Sequence, residues 1–218
     1  MDLPSEQAIC KHCKNINTIM HLGAYMGEEI NFYESIDVKT IIWVEANKYL
    51  FDKLVDNVNQ KQKNTKNIAI NRAIFNEDNK IIEFNLMSDS EQQNMGSSSI
   101  LKPKKHLTIY PGIRVVETVK VKTITIDTIS KKGIIVIDDI NMINIDLQGA
   151  ELIAFNGAIN LLSNKNLKYI LTEVSFDELY ENVPLIEEID IFLQKFNFKR
   201  VETIKYHKTW GDALYVKG

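Results

Sequence analysis

Cysteine is nearly missing from this chain. Only Cys10 and Cys13 occur, too few for a disulfide framework. They sit in "CKHC", but no second CxxC follows and no thioredoxin-like strand precedes it, so a zinc site or redox pair lacks its other half. Both read as plain thiols on an N-terminal helical extension over about 1–16. No apolar run is long enough to cross a bilayer. The opening "MDLPSEQAICKHCK" has no basic segment followed by an apolar one, so no secretory leader is read and a cytoplasmic protein is expected. An excess of charge is lacking too: 26 basic against 29 acidic residues leave a net charge of −3. That gives no electrostatic case for nucleic acid as a partner. What remains is ordinary globular composition, 44% hydrophobic and 25% charged over 218 residues, enough for one domain with a sizeable core.

Strand-like and helix-like segments alternate. "TIMHL" (18–22) and "TIIWVEA" (40–46) read as buried strands, and "NIAINRAIF" (67–75) as a third. Residues 27–36 and 48–60 read as helices, the latter from Leu50, Leu54, Val55 and Val58. "KIIEFNLM" (80–87) is strand-like. A polar stretch follows that holds Gly96, Pro103, Pro111 and Gly112, so about 80–116 reads as an insertion or lid on a single domain, 1–218. "VETVKVKTITIDTI" (116–129) resumes as a strand leading into a short helix. "NMINIDL" (141–147) and "LKYILTEVS" (167–175) are strands. Leu152, Phe155, Ile159 and Leu162 mark one helix, and Leu185 to Phe196 another. The last two strands, 198–206 and 213–217, are joined by so few residues that they form an antiparallel hairpin. The fold class expected is α/β: a doubly wound, mostly parallel seven-stranded sheet ending in an antiparallel hairpin.

In such sheets ligands sit at the carboxyl ends of the strands. The loop "HLGAYMGEE" (21–29) stands there. It is no dinucleotide fingerprint, because Tyr25 and Glu28 occupy positions that glycine would need. Glu28 and Glu29 complement the helix start themselves and repel a pyrophosphate. Gly23 and Gly27 are read as clearing space for close approach of a ligand that is neutral or cationic. S-adenosylmethionine, with a sulfonium, an ammonium and no phosphate, fits. Glu45 ends the second strand, where a carboxylate can accept from both hydroxyls of a ribose. A nicotinamide oxidoreductase is disfavoured by Tyr25, Glu28 and the terminal hairpin.

The motifs "HLGAYMGEE", "VEA" (44–46), "NRAIF" (71–75), "KTITIDTI" (122–129), "NIDLQGAELIAFNGA" (144–158), "EVSFDELY" (173–180) and "GDALYVK" (211–217) resemble, in order, those of the FkbM-type S-adenosylmethionine-dependent methyltransferases. The resemblance implies a class I, Rossmann-like methyltransferase acting on hydroxyls of glycans or other metabolites, an O-methyltransferase. It implies that Gly23, Ala24, Tyr25 and Gly27 line the methionyl and ribose portion, that Glu45 holds the ribose, and that Ala46 and Asn47 flank the adenine. Ala73 and Ile74 would close over the adenine ring, whose faces want apolar cover. His21 departs from the acidic residue common at its position and reads as a packed strand residue. A non-catalytic binding protein that keeps the fold is the alternative.

Methyl transfer to a hydroxyl needs positioning and removal of a proton. Asp146, at a strand end beside the presumed cofactor, is the first candidate for that role, and it also borders the cofactor. Glu173 ends the next strand and could face the acceptor. Glu151 reads as a helix-start carboxylate. Asp146 with Glu173 could bind Mg²⁺, although no metal is expected. His106 in the insertion is a candidate base near neutral pH, with "KPKKH" as a solvated basic patch the other reading. Trp210 packs, or stacks on an acceptor.

Overall fold

The computed structural model describes residues 3–61, 63–89, 96–131 and 136–218. In chain order its first elements are α1 (Pro4–His12), β1 (Thr18–Leu22), α2 (Ile30–Ser35), β2 (Thr40–Glu45), α3 (Lys48–Lys61), β3 (Lys66–Asn71), β4 (Ala73–Ile74) and β5 (Ile81–Ser88). Then come α4 (His106–Ile109), β6 (Arg114–Ile124), α5 (Ile126–Lys131), β7 (Met142–Ile145), α6 (Glu151–Asn156) and α7 (Ile159–Ser163). The chain finishes with β8 (Tyr169–Ser175), α8 (Ile186–Gln194), β9 (Phe198–Lys205) and β10 (Trp210–Lys217).

Seven strands form one sheet in the order β3-β2-β1-β7-β8-β10-β9. All neighbours pair in parallel except β10, which is antiparallel to both β8 and β9. The last strand therefore inserts inside the sheet and β9 becomes its edge. Central strands are apolar on both faces because both are covered. Successive side chains alternate: Ile19 of β1 packs with α1, α2 and α3, whereas Met20 and Leu22 pack with α5, α6, α7 and α8. Trp43 and Ile42 of β2 divide the same way.

Two readings of the sequence are corrected here. The strand expected over 67–75 breaks at Arg72: β3 stays in the main sheet, and β4 pairs with β6. β6 in turn pairs antiparallel with β5, giving a separate three-stranded sheet, β4-β6-β5. Apolar alternation identifies a strand but not its partner. The helix expected through Leu152 and Leu162 is interrupted at Gly157, where a Cβ would lie 2.5 Å from the Phe75 carbonyl oxygen. The chain there must be glycine, and α6 ends. Of the polar stretch read as the lid, residues 90–95 lie outside the described residues.

Candidate active site

The strand order turns back between β1 and β7, and a cavity of about 320 Å³ opens at the carboxyl ends of those strands. Gly23, Ala24 and Tyr25 follow β1 and line it, as do Glu45 at the end of β2, Ala46 after it, Ala73 and Ile74 of β4, and Asp146 after β7. Helix α1 lies over the cavity, contributing Leu3, Ser5, Glu6 and Ile9. It is tied down by Lys11 and His12, whose nitrogens lie 2.9 and 2.6 Å from Glu202 Oε2 on β9.

The loop glycines are needed for reasons other than ligand room. Gly23 has φ +80°, and a Cβ on it would sit 1.7 Å from the Asp146 carbonyl oxygen. It lets the ends of β1 and β7 close on each other. Gly27, at φ +66°, would put a Cβ 2.6 Å from Leu54 Cδ1 and 2.9 Å from Val58 Cγ1. It makes room for α3 and is not a lining residue. Asn47 is likewise not at the cavity: its Oδ1 accepts from the Tyr49 amide at 3.0 Å, so it caps the start of α3.

Glu45 is buried. Its Oε2 accepts from the Tyr25 amide at 2.9 Å and its Oε1 from the Asn47 amide at 2.7 Å. One carboxylate thus fixes the loop after β1 to the loop after β2. Burial, only partly offset by those amides, pushes its pKa up to about 7. His21 stacks on Trp43 with ring centroids 5.2 Å apart, and its Nδ1 is 3.2 Å from the Tyr33 hydroxyl. Burial lowers its pKa to about 4, so the imidazole is neutral, and its 3.8 Å approach to Glu29 is no ion pair at neutral pH. It is a packed strand residue.

Asp146, Glu151 and Glu173 bring carboxylate oxygens within 4.8 Å of one another. The Gln148 side-chain amide donates to Asp146 Oδ1 at 2.8 Å and to Glu173 Oε1 at 3.1 Å. The Tyr180 hydroxyl lies 2.9 Å from Gln148 Oε1. Glu151 Oε1 accepts from the amides of Leu147 and Gly149. The group is satisfied by the protein's own donors, and a cation would have to displace the Gln148 amide. Burial raises Glu173 well above the carboxylate range, reinforced by the charges of Asp146 and Glu151. Asp146 is raised by burial as well. It remains accessible where it faces the cavity, so of the two carboxyls it ionises the more readily.

A family model described as the methyltransferase FkbM domain matches residues 21–200. The chain belongs to the FkbM family of S-adenosylmethionine-dependent methyltransferases. No curated protein matches it. Among solved structures, M. capricolum TrmK in complex with S-adenosyl-homocysteine is similar with a TM-score of 0.54 at 9% identity, over 100% of this chain and 69% of that one. Magnesium protoporphyrin IX methyltransferase from Synechocystis, with bound SAM, gives 0.51 at 7% identity, over 98% and 80%. At these identities the likeness is one of fold.

Besides Gly27 and Asn47, two catalytic candidates of this FkbM chain do not line the cavity. Glu173 is not a lining residue; it is held beside Asp146 by direct contact of the two carboxyls and by the Gln148 amide they share. His106 is buried between Tyr110 and Tyr180, with ring centroids 5.0 and 5.4 Å away, and its Nδ1 has no hydrogen-bond partner among the described residues. Burial lowers its pKa. The lysines beside it are not a free basic patch, since Lys104 and Lys105 pair with Glu178 and Asp177. Gln148, Asp212 and the α1 residues escaped the sequence reading. Gln148 stood within the quoted "IDLQGAE", but its left-handed backbone, φ 52°, which turns the amide between two acids, has no local signal.

The raised carboxylates predict a pH dependence of stability. Glu151 is pushed up to about 8, first by burial and then by Asp146. Unfolded, Glu45 and Glu151 ionise near 4.5; folded, they hold protons to about 7 and 8. Between those limits the native state binds more protons, so their contribution is full below the unfolded value and is lost as pH rises through the folded ones. Melting temperature is expected to fall between about pH 5 and pH 8.5, and Glu151→Gln to fall less steeply. Parallel curves for the two proteins would contradict this.

Proposed function

We propose that the chain transfers a methyl group from S-adenosylmethionine to a hydroxyl oxygen of a glycan or small metabolite. The observation that carries the reading is the carboxylate-lined cavity at the β1/β7 switch point, within an FkbM domain. Its acidic lining residues on the cofactor side include Glu6, Glu28, Glu29, Glu45 and Asp146, against Arg72 as the one lysine or arginine there among the described residues. Such a wall repels a polyphosphate and suits a ligand bearing a sulfonium and an ammonium. The β2–β4 side adds Ala46, Leu50, Ala73, Ile74 and Phe84, apolar cover suited to an adenine, next to Glu45 for the ribose.

The bound cofactor supplies an electrophilic methyl group, and transfer forms an O–CH₃ bond as the S–CH₃ bond breaks, leaving S-adenosylhomocysteine. The protein's part is to hold the acceptor hydroxyl and take its proton. Asp146 does this, because it is at the cavity and is the more readily ionised of the pair. Glu173, raised further by burial, holds its proton more tightly, and Gln148 holds the two carboxyls in place.

Calorimetric titration tests the cofactor. S-adenosylhomocysteine is expected to bind and NAD is not; the reverse would refute the reading. Glu45→Ala removes an acceptor that also ties two loops together and is expected to weaken binding by about 1–3 kcal/mol. Unchanged affinity would remove Glu45 from the site.

A further inference from the structure

The segment "GDALYVK" has no part in the assignments above, yet it places one side chain in the cavity. β10 runs antiparallel and begins at the same sheet edge where β8 ends, pairing Asp212 with Glu173. Asp212 lines the cavity. It lies across the switch point from Glu45, Ala73 and Ile74, on the side left for the acceptor. The Tyr206 hydroxyl donates to Asp212 Oδ2 at 3.0 Å. Tyr206 is 41% exposed, and its ring lies 5.2 Å from the Trp210 ring. Trp210 is anchored in turn by its indole N–H, 2.8 Å from the Tyr110 hydroxyl. A half-buried carboxylate is thus held in one orientation by an exposed tyrosine, backed by a fixed indole.

We infer that Asp212, oriented by Tyr206, positions the acceptor and excludes acceptors that are anionic at this end. A fixed carboxylate accepts hydrogen bonds from hydroxyl or ammonium groups and repels phosphate or carboxylate. Asp146 and Glu29 act on Asp212 as well, so an anion would meet several acids, and among the described residues the one lining lysine or arginine, Arg72, follows β3 on the other side of the switch point. Burial and the charge of Asp146 raise Asp212 to about 7. It therefore responds to what is placed beside it: an ammonium favours the ionised form, whereas an anion is met by no donor unless Asp212 keeps its proton. The inference rests on the methyl-transfer reading, and titration with S-adenosylhomocysteine alone separates a failure of that reading from a failure of this one.

The test is a saturation-transfer NMR screen of hydroxyl-bearing fragments, matched in neutral, cationic and anionic forms, on full-length protein saturated with S-adenosylhomocysteine. Neutral and cationic fragments are expected to bind, and anionic ones are not. Asp212→Asn and Tyr206→Phe are each expected to weaken the fragments that bind by about tenfold, with S-adenosylhomocysteine affinity unchanged. Asp212→Asn is further expected to admit anionic fragments, which a purely structural role would not produce. Melting curves confirm that both variants are folded, and either one suffices for the comparison. The inference is overturned if no fragment binds, if anionic fragments bind the wild type equally, or if both variants bind as the wild type does. Loss of S-adenosylhomocysteine affinity in Asp212→Asn also overturns it, because Asp212 would then hold the cofactor.

Discussion

Asp146→Asn is expected to lower methyl transfer by roughly 10²–10⁴-fold, the usual worth of a positioned acid–base group, while leaving the fold and cofactor affinity close to wild type. The substitution keeps the shape and an oxygen acceptor. Asp146 Oδ1 receives the Gln148 side-chain amide at 2.8 Å and its backbone N–H at 3.3 Å, and the asparagine oxygen can receive both. What is lost is the charge that accepts the hydroxyl proton. Glu173 is a poor replacement, because burial raises its pKa well above the carboxylate range and it does not line the cavity. Production of S-adenosylhomocysteine with an acceptor found by the fragment screen reports turnover, and a melt on the same preparation reports folding. If turnover per folded molecule stays normal and only the melting temperature drops, Asp146 is an anchor of the turn at Gly149 and has no role in proton removal.

Gly23→Ala is expected to cost about 2–5 kcal/mol of stability, combining a left-handed backbone with an overpacked strand end. For a chain of this size that lowers the melting temperature by about 4–20 °C. The clash is with backbone, the Asp146 carbonyl oxygen at 1.7 Å, which cannot rotate away as a side chain would. Relief requires β1 and β7 to separate at the point where Asp146 is presented, so cofactor affinity should fall with stability. Gly112→Ala is the control. A Cβ there meets nothing within 4 Å, and the change should stay within about 0.5 kcal/mol. Equal melting temperatures for the two variants would show that the switch point tolerates separation.

Much of this architecture was legible in the sequence because it is written in local patterns. Ile41 to Val44 is a continuous apolar run and Ile19 to Leu22 is interrupted only by His21, the mark of strands covered on both faces, and both are fully buried. Glu45 and Asp146 follow the apolar ends of β2 and β7, so their place at one edge of the sheet follows from strand direction alone. The short link between β9 and β10 could only be a hairpin. Tertiary structure decided what depends on partners far away in the chain. The alternation in β6 was visible, but its pairing with β5 and β4 was not, because an alternating strand fits any sheet with a matching face. Gly23 and Gly27 were recognisable as a turn, yet what requires them is the carbonyl of Asp146 and the side chains of Leu54 and Val58. His106 carried the chemistry of a base, and packing between Tyr110 and Tyr180 withdrew it from the cavity. Helix α1 and Asp212 reached the cavity from opposite ends of the chain. Periodicity records which side of a segment is buried, but only the folded chain determines what it is buried against.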